Sequence, residues 1–366
     1  KIGGFWIMAY TTIDDGSAHF QAQTYTGTAG VNNIVNTGNS DLQPDWVWLK
    51  SRDLSQPHTI RDSTRGTNKF LYISTADEGT NTYLTAFNSD GFSMNATDNE
   101  VNGNSNTYVA WQWKANGGTR TTFTESSNNP GGGRQVNTTA GFAIIDYTGT
   151  GANGTIAHGL GVTPNWVIVR NRDGGNSDAN FHHFTGLLSA DNKVLYGSSN
   201  DGEQTNASAF NSTAPTSTNI TVGTNSATNK NDDNYIMYCF ANIKGYSKIG
   251  KYTGNGNADG PFVYTGFRPA FLITKRFDDS DHWRWGDDTR PIFDGNTVND
   301  GSLPQLKMNA EDSEADSGAR NIQLLSSGFK IRDTDADTNA SGGTYIYCAF
   351  ASAPFVTSNG GANNAS

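Results

Sequence analysis

A phrase that occurs three times constrains the fold of this chain more than any other feature. It is an apolar run that leads to a basic residue and an aspartate, and it reads WVWLKSRD at 46–53, WVIVRNRD at 166–173 and FLITKRFD at 271–278. Upstream of each copy stands the tripeptide YTG, which begins at Tyr25, Tyr147 and Tyr252. Downstream follows a second shared run, which reads TYVAWQWKA, NYIMYCFAN and TYIYCAFAS at 107–115, 234–242 and 344–352. Markers that recur in one order predict three copies of one unit.

The composition indicates what kind of unit this is. Short aromatic and β-branched runs alternate with Gly, Asn, Ser and Thr, and Gly alone accounts for 42 of the 366 residues. This pattern is typical of all-β proteins with many turns, and 8 Trp, 14 Tyr and 19 Phe supply too much apolar surface for a disordered chain. We therefore predict an all-β fold of three tandem related β-sandwich domains, of jelly-roll or lectin-like type.

The repeat also sets the predicted domain boundaries. They give an N-terminal segment, a first repeat, a linker, a second repeat, a third repeat and a polar tail at 1–20, 21–118, 119–138, 139–244, 245–354 and 355–366. The linker is rich in Gly, Ser and Thr and has no periodicity, so it is expected to be flexible or extended. The connection at 244–250 is short. The second and third domains are therefore expected to pack as a unit, with the first more independent.

The closing strand of each repeat can be divided into two faces, because strand side chains alternate. Val109, Trp111 and Trp113 and their counterparts are apolar in every copy, which predicts a core face. The opposite face is mixed, and we expect it to contact a neighbouring copy of the chain through Tyr108, Tyr235 and Tyr345. Cys239 and Cys348 lie at adjacent positions of equivalent strands, so they are expected to be small buried hydrophobes without a disulfide.

The basic residue and the aspartate of the phrase are expected to form an exit turn. The aspartates are Asp53, Asp173 and Asp278, and the cations are Lys50, Arg170 and Lys275. In this interpretation the aspartate accepts backbone hydrogen bonds, while the cation covers apolar surface with its charged end in water.

The net charge of −10 argues against nucleic acid and anionic membranes as partners. The sequence contains no apolar stretch long enough for a membrane span. The apolar run at 4–10 has no cleavage site, so no signal peptide is expected, and Met8 resembles a natural start. These features predict a protein that works inside a cell or leaves it without the secretion machinery.

Several segments resemble an uncharacterised repeat domain of virion and tail-associated proteins of marine bacteriophages. The residues that carry the resemblance are PDWVWLKSRD, HTIRDSTRG, LTAFNSDGFSM, VNGNSNTYVAWQWKANGG and a long run in the second copy, at 44–53, 58–66, 84–94, 101–118 and 138–173. The third copy departs from the pattern at FRPAFLITKRFD. The resemblance implies a structural component of a virion, released by lysis, with other virion proteins and copies of itself as partners. It implies no chemistry.

Three groups of residues are candidates for a site. Aromatic faces and polar groups beside the exit turns suit contact with a host glycan, through His182, His183, Trp283, Trp285, Asp287 and Arg290. Packing of the aromatic residues in the core is the alternative, and the sequence favours it over sugar binding. The acidic loop with Asp333, Asp335 and Asp337 places oxygens at alternate positions but lacks the glycine and glutamate of an EF-hand. It is expected to be a solvated hairpin, with Ca²⁺ as the alternative. No cofactor is expected.

The most direct interpretation is a non-enzymatic structural protein on the surface or tail of a bacteriophage particle. A secreted sugar-binding lectin or adhesin is the alternative. A glycan hydrolase is the remote one, since carboxylates are plentiful at 277–290 but no nucleophile, base and orienting group can be assembled from their spacing.

Overall fold

The computed structural model describes residues 11–73, 78–173, 180–290, 302–314, 320–359 and 361. Met8 and residues 362–366 of the predicted tail lie outside this range. The chain is all-β, as predicted, with antiparallel pairing in every sheet. The helices that lie wholly within the described residues are a 3-10 turn at Gly16–Ala18 and two four-residue helices, α1 at Ser226–Asn229 and α2 at Ala336–Asn339. None of these helices has the length and apolar character needed to cross a membrane.

The strands fall into three consecutive units. The first unit contains β1 Phe20–Thr26, β2 Gly30–Ile34, β3 Trp46–Ser51, β4 Thr59–Asp62, β5 Lys69–Tyr72, β6 Gly79–Thr80, β7 Leu84–Phe87, β8 Phe92–Ala96 and β9 Thr107–Trp113. The second contains β10 Thr121–Phe123, β11 Gly132–Asn137, β12 Phe142–Thr148, β13 Gly154–Ala157, β14 Trp166–Asn171, β15 His182–Phe184, β16 Lys193–Tyr196, β17 Gln204–Thr205, β18 Asn219–Val222 and β19 Asn234–Phe240. The third contains β20 Ser247–Thr253, β21 Phe262–Tyr264, β22 Phe267–Arg276, β23 Arg284–Asp287, β24 Ser302–Leu303, β25 Gln305–Lys307, β26 Arg320–Leu325, β27 Gly328–Ile331 and β28 Thr344–Pro354.

Each unit contributes one large sheet and one small sheet. The large sheets have the strand orders β1-β9-β3-β4-β5-β6, β10-β11-β12-β19-β14-β15-β16-β17 and β20-β28-β22-β23-β25. The small sheets have the orders β2-β8-β7, β13-β18 and β21-β27-β26-β24. The repeated phrase begins at the same position of equivalent strands, where Trp46 lies opposite Trp113, Trp166 opposite Phe240 and Phe271 opposite Phe350.

The segment at 119–138 is not a flexible linker. Strands β10 and β11 form a hairpin that extends the large sheet of the second unit along β12. Its glycines permit close contact between strands, because a Cβ added to Gly132 would lie 2.0 Å from the carbonyl oxygen of Asp146. The glycine-rich composition therefore reflects tight pairing of strands. Of the two expected states, flexible or extended, the structure shows extended strands at 121–123 and 132–137.

Each large sheet buries both of its faces. In the first unit, Val47, Leu49 and Ala110 face the small sheet and pack with Ile34 and Phe92. The other face of that sheet lies in a central cluster shared by all three units. Its members include Trp46, Trp111, Trp113, Phe142, Tyr238, Phe240, Phe271, Ile346 and Phe350.

The face of the closing strand that was predicted to form the core of each unit lies in this central cluster between the units. Val109, Trp111 and Trp113 are buried, as expected, but their face of the sheet lies in the cluster shared with the other units and not against the small sheet of their own unit. Trp48 lies 4.2 Å from Trp285, between ring centroids, and Trp46 lies 4.6 Å from Tyr238. The first unit is thus as deeply packed as the other two, and the prediction of its independence was wrong.

Candidate functional site

The three units close into a ring through one repeated hydrogen bond. The backbone N–H of Glu78 donates to the carbonyl of Arg172 at 3.2 Å, that of Glu203 to Phe277 at 2.7 Å, and that of Glu314 to Arg52 at 2.8 Å. Each donor belongs to one unit, and each acceptor lies just after the repeated strand of the next. The first unit thus contacts the second, the second contacts the third, and the third contacts the first. One chain thereby forms an arrangement like that of three subunits around a threefold axis.

A buried ionic network accompanies this bond between the first and second units. The Nε of Arg65 lies 2.5 Å from a carboxylate oxygen of Asp62, and Glu78 bridges Arg65 at 3.2 Å and Arg172 at 2.8 Å. The Tyr238 hydroxyl of the second unit donates to Asp62 at 2.7 Å. Burial would raise the pKa of the Glu78 carboxyl, but its bonds to Arg172 and Arg65 hold that pKa below its usual value.

The junction between the third and first units repeats the network with other residues. Asp287 binds Arg290 at 2.7 Å, and Glu314 bridges Arg290 at 3.0 Å and Arg52 at 2.6 Å. Here the indole N–H of Trp111 replaces the tyrosine hydroxyl and donates to Asp287 at 2.9 Å. The side chains of Asp287 and Arg290 are fully buried. The two charged junctions therefore share one arrangement of aspartate, arginines and glutamate, and they differ in the aromatic donor to the aspartate.

The junction between the second and third units is apolar at the same positions. Thr185 and Leu188 stand where the other junctions have aspartate and arginine, and Phe277 replaces the arginine of the exit turn. Leu188 and Phe277 both lie in the central cluster. Glu203 keeps its backbone bond to Phe277, while its carboxylate accepts from the N–H of Ser189 at 2.9 Å. The ring thus has two ionic junctions and one apolar junction.

The exit turn is as predicted for its first two aspartates. Asp53 accepts from the backbone N–H of Thr107 at 2.5 Å, and Asp173 accepts from that of Asn234 at 2.7 Å. The third aspartate, Asp278, instead pairs with Arg276 at 2.9 Å.

The cations of the phrase do not reach water. Lys50, Arg170 and Lys275 are fully buried, which corrects the expectation that their charged ends are solvated. The ammonium of Lys50 donates to the carbonyls of Ser51 and Leu54, and the guanidinium of Arg170 lies over the ring of Phe181. Burial lowers the pKa of Lys50 to about 8, and that of Lys275 likewise to about 8.

The residues predicted to bind a glycan are buried. Trp283 and Trp285 are 0% and 1% exposed, and the indole N–H of Trp283 donates to the carbonyl of Tyr196. His183 accepts from the indole of Trp166 at 3.1 Å, and burial lowers its pKa to about 3. His182 packs edge-on against Tyr196. Because no ring face is open to solvent here, these residues belong to the core and, with Asp287 and Arg290, to the junctions, which corrects the prediction.

The three tyrosines predicted to contact another chain lie inside their own units. Tyr108, Tyr235 and Tyr345 are 0% exposed. They stack on the tyrosines of the YTG tripeptides. Each hydroxyl donates to a backbone carbonyl of the segment before its own strand, which in the second and third units is the first residue of α1 or α2. They therefore offer no surface to a neighbour, and the YTG motif marks a stacking partner within the unit.

The acidic loop caps a helix. Asp335 is the N-cap of α2 and accepts from the N–H of Asp337 at 2.9 Å, while Asp333 accepts from the backbone of Asn321 and the hydroxyl of Thr338. Asp337 is paired with Arg284. Asn225 caps α1 in the same way without a charge, so capping explains the aspartate at this position. Across the described ranges, no group of three or more His, Cys, Asp or Glu side chains is placed to hold a metal ion.

A small cavity lies at the centre of the ring. Its volume is about 20 Å³, and its walls come from all three units, including Trp113, Phe240 and Phe350. This is about the space of one water molecule, so it cannot admit a substrate. A larger surface depression of about 200 Å³ lies between the first and third units. Asp288 is the one carboxylate among its described lining residues, and it pairs with Arg268 at 2.7 Å.

The exposed apolar residues lie in one region of each unit. Val31 and Val35 in the first unit, Val162 in the second, and Phe262 and Tyr264 in the third are the large hydrophobic side chains that stand exposed in the described part of the chain. All follow the YTG tripeptide, on or shortly after β2, β13 and β21. Sequence reasoning missed Phe262 and Tyr264. The signal was their alternation around Val263 in the run PFVY.

Comparison with known proteins gives a family and little else. A family model described as a domain of unknown function (DUF7483) matches residues 15–354, which include all three units. No curated protein and no solved structure matches the chain.

Proposed function

The chain belongs to the DUF7483 family, and we propose that it is a non-enzymatic structural protein of a bacteriophage particle, on its surface or tail. The observation that supports this most is the closed ring. The carboxylates, arginines and tryptophans that sequence reasoning considered for chemistry are used to join the units. A ring of this kind is a rigid part with three similar outer faces, which suits an assembly component.

We also propose that the three units are related β-sandwich domains, each made of one large and one small sheet. Their equivalent strand pairings and the three tyrosine stacks support this. The family model spans them together, and their shared core makes the ring the unit of stability.

Mass spectrometry of purified phage particles tests the particle role. The proposal expects a constant copy number of this chain in intact particles and matching density in a reconstruction calculated without imposed symmetry. Recovery of the protein from the culture medium but not from washed particles would contradict it.

Association of copies is part of the proposal. The buried tyrosines cannot mediate it. Val31 on edge strand β2 is 70% exposed and Val35, just after this strand, is 59% exposed, so this edge offers strand pairing or apolar contact. Analytical ultracentrifugation of the wild type and of Val31→Lys/Val35→Lys is expected to show an oligomer that the variant loses. A monomer at high concentration would contradict it.

A secreted sugar-binding lectin or adhesin is the second candidate. The exposed aromatic pair Phe262 and Tyr264 favours it. Absence from particles, together with the protein free in the medium, would favour this role over the first.

A further inference from the structure

We propose that the outer face of the small sheet in the third unit binds an extended, β-linked polysaccharide through Phe262 and Tyr264. This goes beyond the function proposed above, because it holds for a particle component and for a secreted protein alike. The rings belong to edge strand β21 and are 48% and 61% exposed, while Val263 between them is buried. The pair therefore lies on the solvent side of the sheet.

The equivalent positions in the other units show that folding does not require these rings. Val263 lies opposite Phe329, as Ile34 lies opposite Phe92 in the first unit. This register places Asn33 and Val35 where the third unit has Phe262 and Tyr264. In the second unit, Ile156 pairs with Ile220, and the equivalent residues are Thr155 and Ala157. The same sheet position is thus built without an aromatic residue in two of three units.

The two rings follow each other along one face of the strand, so an extended chain that runs along this strand can contact both. Residues i and i+2 of a strand point to one face and lie about 6.7 Å apart along it. Gly328 is paired with Tyr264 and leaves the sheet without a side chain beside that ring. A Cβ at Gly328 would lie 3.1 Å from the Phe262 ring. The pair therefore forms a platform on which the C–H faces of pyranose rings can stack.

Polar groups for sugar hydroxyls border this platform on the same face. Lys330 lies opposite Phe262 in the strand register, and Gln323 lies opposite Lys330 on the next strand. Asp259 holds the ammonium of Lys330 at 2.6 Å and the guanidinium of Arg332 at 3.0 Å. The carboxylate is largely exposed, so it can still accept bonds from hydroxyls. Stacking faces beside fixed donors and acceptors are what a sugar chain requires.

The test uses the full chain and three defined hexasaccharides. Saturation-transfer NMR and isothermal titration are carried out with β-linked glucose, β-linked N-acetylglucosamine and α-linked glucose, the last of which is curved. The wild type is expected to bind a β-linked probe more tightly than the α-linked one. Phe262→Asn/Tyr264→Val, which installs the residues of the first unit, is expected to weaken binding about tenfold or more.

Two controls separate loss of binding from loss of the fold. The melting temperature of the double variant should match the wild type, because its residues already occupy this position in the first unit. Val162→Ala alters the exposed apolar residue of the second unit and should leave binding unchanged. Failure of the wild type to bind either β-linked probe, equal affinity for the α-linked probe, or unchanged affinity in the Phe262/Tyr264 variant would overturn the proposal. Absence of the protein from phage particles would not affect this result.

Discussion

At the ionic junction between the first and second units, we expect removal of one charged partner to lower the free energy of unfolding much more than replacement of both partners. Arg65 is fully buried and binds Asp62 at 2.5 Å, Glu78 at 3.2 Å and the carbonyl of Ile60 at 3.2 Å. Arg65→Leu leaves the Asp62 carboxylate buried with Tyr238 as its remaining side-chain donor. Removing one partner of a buried ion pair destabilises proteins by about 3–5 kcal/mol, and we expect that loss here.

The junction between the second and third units has apolar residues in place of this ion pair, and these residues can be copied into the first junction. Asp62→Thr/Arg65→Leu installs the residues found there as Thr185 and Leu188. Replacing a buried pair by packed apolar residues is often close to neutral, and the Tyr238 hydroxyl left without its acceptor costs about 1–3 kcal/mol. The double variant should therefore be destabilised by no more than about 3 kcal/mol, less than the single one.

Urea denaturation followed by tryptophan fluorescence measures these differences. Arg120→Leu is the matched control, because Arg120 pairs with Asp146 at the surface and its loss should change the free energy of unfolding by less than about 1 kcal/mol. Equal effects of Arg65→Leu and Arg120→Leu would refute the reasoning. So would a double variant as unstable as the single. Arg290→Leu should behave like Arg65→Leu, since its junction has the same geometry.

Three further outcomes are expected. Trp285→Ala should lower the free energy of unfolding by about 3–5 kcal/mol in urea, because it empties a buried site; a loss below about 1 kcal/mol would place that ring outside the core. Cys239 and Cys348 should react with a thiol reagent only after unfolding, because burial raises the pKa of both thiols; rapid reaction in native buffer would contradict their burial. Glu78 has a depressed pKa, so its contribution is present above the unfolded value near 4.3 and lost as pH falls through its folded pKa. Stability should therefore drop in acid less steeply for Glu78→Gln, and identical pH profiles would contradict this.

The sequence predicts those features of the fold that are written locally. Alternation in TYVAWQWKA and its counterparts predicts the closing strands and their apolar face, and the repeated phrase predicts equivalent strands at Trp46, Trp166 and Phe271. These predictions depend on residues that are only a few positions apart in the sequence. Nothing local distinguishes a face that packs inside its own unit from one that packs on another. The two faces of the strand were therefore predicted correctly, whereas the partners against which Trp111 and Tyr108 pack were not.

The candidate site could not be predicted for the same reason. Trp283, Trp285, Asp287 and Arg290 look like a recognition cluster in sequence, but contacts with distant residues such as Trp48 and Glu314 bury them. The hairpin at 119–138 was missed because glycine permits both flexibility and close strand contact. Phe262 and Tyr264 were passed over because exposure of a short strand depends on which sheet edge it occupies.

The bond that closes the ring joins residues far apart along the chain. Arg52 and Glu314 are separated by 262 positions, and the third unit supplies Trp285 and Phe350 to the centre. During translation, the aromatic face of the first unit therefore stays uncovered until the third unit has left the ribosome. In that interval the nascent chain exposes a large apolar surface, and the ring can close only after residue 314 has been synthesised. A fragment that ends before the third unit would keep this aromatic face exposed and would be prone to aggregate.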